Sequence, residues 1–478
     1  MTNKKSFLYI LIAMAMLTGS CSKKFLTTDP STQISGQNLF KSLDGAQTLL
    51  NGMYRTLAWT TNTVPEVGSI MSWQNGLDAA AKDIVVFQAQ GYMQSYYNNY
   101  VLASTRAEGT LPPGMWGYFY ALASNANDIL ANIDGIDGDA TIRTQIKSQA
   151  LAIRGWCYFY LARLFSQTYA IAKDQPCVPY YDKPAVDGKP REKVSVIYQH
   201  VVDDLKAAVT GLNGFKRKYK NQIDQRVAQG ILAEVYLTME DWPNAADMAN
   251  QARTGYTIMT GDQYKAGFND WTNTEWMWGE RQTVDASFGN ITSFTFWANK
   301  TRGTMWSYDT YCVNDQFKNL FSAGDARNQF WFRTDYKLWT SDKFRDNTLG
   351  TGDVIMMRAS EMLLIEAEAR ARQGGQDAAA QTLLWQLQDK RGADRSASTG
   401  AALVNDILVE RRKELYGEGF AWFDMLRVNQ GLVRTGDHPI IINLPARSWR
   451  LIFQIPTSEF TSNKSLKPTD QNPYDGVF

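Results

Sequence analysis

Residues Arg226–Ala252 read RVAQGILAEVYLTMEDWPNAADMANQA, and this stretch gives the clearest indication of the fold. In its first half, small and apolar side chains recur at three- and four-residue steps, as on one face of a helix. Pro243 interrupts the pattern, because proline is tolerated only in the first turn of a helix. A second helical run follows, with Ala245, Ala249 and Ala252 on one face. We therefore predict two antiparallel helices that pack closely through small side chains.

The same hairpin matches the pattern of a tetratricopeptide-type helix pair, in which small, large, small and small residues follow one another. Here those positions are Ala233, Tyr236, Ala245 and Ala252. One such pair cannot bury its own apolar face, so further helices must stack on it. An ordinary antiparallel pair in an α domain explains the same residues. Both interpretations predict a mainly all-α fold built on a helical hairpin scaffold.

Further amphipathic or apolar helices are expected along the chain, and a second hairpin echoes the first. They are Leu39–Leu57, Trp116–Ile133, Ile142–Leu164, Val194–Leu212, Asp353–Arg372, Asp377–Arg391, Leu403–Leu415 and Phe420–Val428. Arg154 and Arg163 fall within the most apolar of these helices and need carboxylate or carbonyl partners. Two long stretches lack helical periodicity, at about 59–113 and 268–351, and both are rich in aromatic residues. Excursions of this length are typical of functional loops.

The N-terminus has the three parts of a secretory signal in residues 1–20. Lys4 and Lys5 precede the apolar run Phe7–Leu17, which is too short for the roughly 20 residues that span a bilayer. Cleavage before Cys21 would leave an N-terminal cysteine for lipidation, followed by a polar tether over 21–38. The alternative is an ordinary cleaved signal with a coincidental cysteine. Residues 39–478 are expected to form one domain.

The composition excludes several classes of function. A net charge of +1 gives no general attraction to nucleic acid or acidic lipid. The two histidines, His200 and His438, lie in no nucleophile or zinc motif, and no phosphate-binding loop occurs. No sequence feature selects one pair of carboxylates for glycoside hydrolysis. We predict no catalytic residue, no metal site and no cofactor; a Cys177–Cys312 disulfide stays open.

Several segments, spread from end to end, resemble the SusD/RagB family of outer-membrane nutrient-uptake lipoproteins. The segments are CSKKFL from Cys21, RGWCYFYLARLF from Arg154, GDAR from Gly324, MRASEMLLIEAEA from Met357, ERRKELYGEGFAWFDMLR from Glu410, QIP from Gln454 and QNP from Gln471. The resemblance implies tetratricopeptide-like hairpins with an irregular, ligand-facing half. It also implies partnership with a SusC-type TonB-dependent transporter, usually for glycan import. Ser166 and the basic Lys23 and Lys24 depart from the family's pattern.

The alternating charges of the segment from Glu410 are interpreted as structural. We expect ion pairs between this segment and Arg358, Glu361, Glu366 and Arg427, which would join the last helices to the second hairpin. Breaking one partner of a buried pair costs about 3–5 kcal/mol.

Sugar rings pack their C–H faces on Trp and Tyr, and their hydroxyls bind amides and carboxylates. The candidate ligand-binding residues are Trp73, Tyr96, Tyr97, Asn98, Asn99, Trp306, Tyr308 and Asp309. The predicted function is therefore non-catalytic glycan capture by a lipid-anchored protein of the outer membrane. The alternatives are a lid of the transporter with little ligand affinity of its own, or a binder of peptides.

Overall fold

A computed structural model describes residues 39–58, 69–86, 96–97, 106–282, 297, 311–345 and 352–474. Its α-helices are α1 Leu43–Ala58, α2 Ile70–Ala80, α3 Leu111–Asn132, α4 Ala140–Phe165, α5 Tyr169–Ala172, α6 Val194–Gly211, α7 Gln225–Met239, α8 Trp242–Arg253, α9 Gly261–Lys265, α10 Asp315–Lys318, α11 Ala359–Gln373, α12 Asp377–Arg391, α13 Gly400–Leu415, α14 Ala421–Arg427 and α15 Thr457–Ser462. Its strands are β1 Ile84–Val86, β2 Pro176–Pro179, β3 Arg191–Lys193, β4 Trp276–Glu280, β5 Tyr311–Val313, β6 Phe330–Arg333, β7 Leu338–Ser341, β8 Val354–Arg358, β9 Leu432–Arg434 and β10 Ile442–Leu444. The mainly α fold is confirmed.

The predicted scaffold hairpin is the pair α7 and α8. Glu240 ends α7 in the left-handed region, and the Asp241 side chain caps α8 by accepting a hydrogen bond from the Asn244 amide. Pro243 stands in the first turn of α8, where its missing N–H costs nothing. The alanines of the hairpin are buried, and α8 packs on α11 of the second hairpin. The two hairpins thus form one stacked core.

Two element predictions are wrong. The first irregular stretch contains α2, which is buried on every side and so shows no periodic polar face. The expected helix from Asp353 begins only at Ala359, because Val354–Arg358 forms β8 and pairs with β4. Both segments are enclosed by neighbours, and enclosure removes the amphipathic pattern that sequence reading depends on.

Four short strands form one sheet in the order β1-β5-β7-β6. Every described pairing is antiparallel, and Val86 at the end of β1 lies opposite Tyr311 at the start of β5. One sheet face, which includes Ile84, Val86 and Tyr311, packs into an aromatic core cluster with Trp297 and Tyr416. The sheet therefore ties two distant parts of the chain together.

The two arginines inside α4 have carboxylate partners, as expected. Arg154 forms a two-pronged pair with Asp204 of α6 at 2.7 Å, and Arg163 lies 3.5 Å from Glu234 of α7. Cys177 is a free buried thiol 3.6 Å from the Ser166 hydroxyl, so it is not joined to Cys312. The two ion pairs fasten α4 to α6 and α7.

The segment from Glu410 contributes to a buried charge network, which confirms its structural role. Glu414 accepts hydrogen bonds from Arg327, Arg358 and Arg391, and Glu418 from Arg358 and Lys343. The side chains of Glu414 and its three arginine partners are fully buried. The network joins β8, α12 and α13, and so fixes the last helices to the second hairpin.

For Glu361, Glu366 and Arg427, the expected pairing with the segment from Glu410 is only partly correct. Arg427 pairs with Asp424 of its own helix and with Glu368 of α11, and Glu366 pairs with Arg253 and Arg370. Glu361 is fully buried, and among the described residues neither of its carboxylate oxygens accepts a hydrogen bond. Burial, and then the nearby Glu234, raises the pKa of Glu361 well above its usual range.

We expect Glu361→Gln to increase the free energy of unfolding at pH 8 by about 1–3 kcal/mol, because the amide carries no charge to bury and its NH2 group can donate to the nearby Glu234 carboxylate. Since the folded state binds the proton more tightly than the unfolded chain, wild-type stability falls as pH rises from the ordinary value of 4.5 through the folded pKa. The variant should lack this component of the decline in chemical unfolding followed from pH 4 to 8.

Glu368→Gln is the matched control, because Glu368 is equally buried on the same helix but binds Arg427 at 2.7 Å. Burial opposes ionisation there, yet Arg427 prevails and lowers the pKa of Glu368. This control should lose stability at pH 8. Equal losses in both variants would contradict the assignment of Glu361.

Candidate functional site

Trp73, the first predicted ligand-binding residue, lies in the core instead. It is fully buried on α2, with its ring 5.7 Å from Phe119 and 4.8 Å from Tyr160, both edge to face. Indole rings in such a cluster contribute packing energy and offer no face to solvent. The prediction of ligand contact by Trp73 is therefore wrong, because α3 and α4 cover it.

Tyr96 and Tyr97 are also fully buried, so their prediction as solvent-facing rings is wrong. The Tyr96 ring lies so close to Gly76 of α2 that a Cβ atom there would approach it to 2.4 Å. The Tyr97 hydroxyl lies 2.8 Å from Nδ1 of His438, and the Arg434 guanidinium covers its ring at 4.3 Å. Tyr96 and Tyr97 thus hold their part of the chain against α2, His438 and Arg434.

His438 is a structural partner in this anchor. Burial, and then Arg434, lowers its pKa to about 4, so the imidazole is neutral at pH 7. Its Nε2 lies 3.1 Å from the Lys82 carbonyl, which fixes the tautomer: Nε2–H donates to that carbonyl, and Nδ1 accepts from the Tyr97 hydroxyl. This histidine is engaged on both nitrogens within the fold.

The other candidates, Asn98, Asn99, Trp306, Tyr308 and Asp309, lie outside the described residues, as does Cys21. Their flanks are nonetheless informative. The stretch with Asn98 and Asn99 follows Val86, and the stretch with Trp306 to Asp309 ends at Tyr311; these two flanking residues are cross-strand partners. Partners in an antiparallel pair have Cα atoms about 5 Å apart. Val86 and Tyr311 therefore lie close together at one end of one sheet.

The same sheet carries aromatic residues that sequence reasoning missed as candidates. Trp331 and Phe332 on β6 are 48% and 50% exposed, and β6 is an edge strand. The Trp331 indole N–H donates to Asp342 Oδ2 at 2.9 Å, which orients the ring. Phe332 stands opposite Trp339 on β7, with the rings 5.1 Å apart. The aromatic run FWFR before the turn at 334–337 was the available signal for a hairpin, because aromatic residues are enriched in strands.

Carboxylates hold both indoles of this hairpin. The Trp339 indole N–H donates to Asp315 Oδ1 at 2.6 Å, and the Lys318 ammonium lies 4.9 Å above the Trp339 ring. Fixed, partly exposed rings bordered by charged groups suit a ligand with flat apolar faces and polar edges. We call the partly exposed aromatic residues of this hairpin, with Phe332 and Trp339 on one face and Trp331 on the other, the β6–β7 platform.

Within the described ranges, no group of three or more His, Cys, Asp or Glu side chains is arranged to hold a metal ion. Asp139, one of three aspartates near the start of α4, caps that helix by accepting from the Thr141 and Ile142 amides. Over the same ranges, none of the helices combines the length and the hydrophobicity that crossing a bilayer requires.

Two family models together match almost the whole described chain. The model described as "SusD family" matches residues 242–474, and one described as "Starch-binding associating with outer membrane" matches residues 41–237. The chain belongs to the SusD/RagB family. The resemblance found in the sequence is thereby confirmed.

Curated SusD relatives come from Formosa agariphila. SusD-like protein P2 is 24% identical over 52% of this chain and 47% of its own length, and SusD-like protein P38 is 22% identical over 88% and 91%. The chain thus spans less than half the length of SusD-like protein P2. Among solved structures, a SusD-like carbohydrate binding protein from Bacteroides vulgatus is 28% identical, with a TM-score of 0.82 over 91% of this chain and 99% of that one. A SusD superfamily protein from Bacteroides thetaiotaomicron is 26% identical, with a TM-score of 0.77 over 90% and 100%.

Proposed function

We propose that this SusD/RagB chain is a non-catalytic glycan-binding protein that captures its ligand and delivers it to a SusC-like TonB-dependent transporter. One observation carries the proposal. The Val86–Tyr311 pairing brings the starting points of the two candidate stretches together, in the same sheet as the β6–β7 platform. This pairing supports a capture surface to which both distant parts of the sequence contribute.

The relatives support the class of ligand. The Bacteroides vulgatus protein of 28% identity is a carbohydrate-binding protein. The contact residues in our proposal are Trp306 and Tyr308 for stacking, with Asn98, Asn99 and Asp309 for hydroxyl groups. In our proposal the exposed indole of Trp331 offers a further stacking ring, since an oligosaccharide is longer than one ring.

We further propose that acyl chains on Cys21 hold the protein at the outer membrane, on the cell surface, with the transporter as its partner. Several acyl chains together exceed the marginal hold of one. One of the two matching family models is described by association with the outer membrane, which supports this location.

The double variant Trp306→Ala/Tyr308→Ala tests the proposal. We expect it to bind glycan about a hundredfold or more weakly, because each buried ring contributes about 1.5–3 kcal/mol and 1.4 kcal/mol is a factor of ten. Affinity gel electrophoresis over a panel of soluble polysaccharides identifies the ligand, and calorimetry then measures both proteins. As a control, Tyr219→Ala removes a ring that is 53% exposed on another surface, and it should leave the affinity for glycan unchanged.

Unchanged affinity in the double variant would contradict the proposed site. A wild-type protein that binds no glycan of the panel but still co-purifies with the transporter would favour the lid interpretation. Release of reducing sugar from any polysaccharide would contradict the non-catalytic assignment.

A further inference from the structure

The segment between α6 and α7 begins with an exposed turn that contains an asparagine–glycine pair, Asn213–Gly214. Gly214 has a φ of 76°, and a side-chain carbon placed on it would meet no other atom within 4 Å. The Asn213 amide donates to the Thr210 carbonyl, and the Phe215 amide donates to the Leu212 carbonyl at 3.0 Å. The Gly214 amide between them donates to no acceptor among the described residues. Its nitrogen is therefore accessible and not held by the fold.

An asparagine that precedes glycine can lose its side-chain amide in an intramolecular reaction. The glycine backbone nitrogen attacks the side-chain carbonyl carbon, a C–N bond closes a five-membered succinimide ring, and ammonia leaves with the amide proton. Water then opens the ring at either carbonyl, which gives aspartate or isoaspartate. The reaction needs a backbone nitrogen without a hydrogen bond and a backbone that can rotate, and glycine hinders the attack least because it has no Cβ.

Two further asparagine–glycine pairs, Asn51–Gly52 and Asn75–Gly76, lie inside α1 and α2. Asn75 is buried, but Asn51 and Gly52 are exposed, and a side-chain carbon on Gly52 would also meet open space. In a helix, however, ψ is held at about −42° and each interior N–H donates to the carbonyl four residues earlier. Leucine precedes both Asn51 and Asn213, so these two exposed pairs differ chiefly in backbone conformation.

We propose that Asn213 is a site of spontaneous deamidation in the folded protein, whereas the helices protect Asn51 and Asn75. Water is the only co-reactant. The product has a new carboxylate just beyond the C-terminal end of α6, where the helix dipole opposes a negative charge. Isoaspartate also adds one carbon atom to the backbone of the turn. The site uses none of the residues assigned to glycan capture, so it stands independently of that function.

The test is peptide mass spectrometry of the full chain after incubation at mildly alkaline pH. Trypsin releases Asn213 in the peptide Ala207–Lys216 and Asn51 in the peptide Ser42–Arg55, and neither peptide contains another asparagine. We expect Asn213 to deamidate at least about tenfold faster than Asn51, the factor that a local opening free energy of about 1.4 kcal/mol in α1 imposes. The rate at Asn213 should rise with pH, because the attacking amide must lose its proton.

The same incubation in guanidinium chloride removes the helices, and the two peptides should then react at equal rates. Asn213→Gln keeps an exposed side-chain amide but would have to close a less favourable six-membered ring, so its peptide should stay intact. Equal rates at Asn213 and Asn51 in the folded protein would overturn the proposal. An Asn213 that reacts only in denaturant, or an Asn213→Gln protein that loses its amide as fast as the wild type, would also overturn it.

Discussion

Glu414→Gln should lower the free energy of unfolding by about 3–5 kcal/mol, the cost of breaking a buried ion pair from one side. Glu414 Oε1 accepts from Arg358 at 2.8 Å and from Arg391 at 2.7 Å, while Arg327 reaches Oε2 at 3.1 Å. The amide keeps the volume of the side chain but removes a negative charge that three buried guanidinium groups share, and leaves them only their other carboxylate partners. Urea unfolding at pH 7, followed by tryptophan fluorescence, measures the loss.

Asp389→Asn is the control, because its ion pair with Arg395 is about half exposed and screened by water. Asp389→Asn should lower the free energy of unfolding much less than Glu414→Gln does. Equal losses would show that the buried network contributes no more to stability than a surface pair. The pH dependence adds a second check. Burial opposes ionisation of Glu414, but Arg391 and Arg358 prevail and hold its pKa well below the usual 4.5. Its contribution is therefore present above that pH and is lost as the pH falls through the folded pKa.

Trp73→Ala should lower the free energy of unfolding by about 3–5 kcal/mol and leave the affinity for glycan unchanged. The Trp73 side chain is fully buried beside Phe119, Trp156 and Tyr160, and its removal leaves a cavity that these neighbours cannot close. Urea unfolding and calorimetry with the identified polysaccharide separate the two effects.

Trp331→Ala supplies the opposite case, since this indole is 48% exposed on the β6–β7 platform. It should change stability by less than about 0.5 kcal/mol, as substitutions at exposed positions usually do. A Trp73→Ala protein that stays as stable as the wild type but loses glycan binding would restore the original assignment of Trp73 to the ligand site.

The helical hairpins were predictable because their signals are local. The proline in the first turn of α8, the alanines at close-packing positions and the double glycine after α11 each act on the backbone within a few residues. The buried role of the segment from Glu410 was also predictable, since so many alternating charges on an apolar helix need partners. The sequence could not predict which carboxylates form ion pairs, because Glu361 and Glu368 differ only in the side chains that face them from other helices.

The family, the mainly α class and the stacked hairpins were predictable from the sequence, since periodicity and turn chemistry are properties of neighbouring residues. Which aromatic rings are exposed depends instead on how the helices and strands pack together. Trp73 and Trp331 both stand in stretches without helical periodicity, yet one is enclosed by α3 and α4 and the other lies on an edge strand. Burial depends on residues distant in the chain, and no local pattern records it.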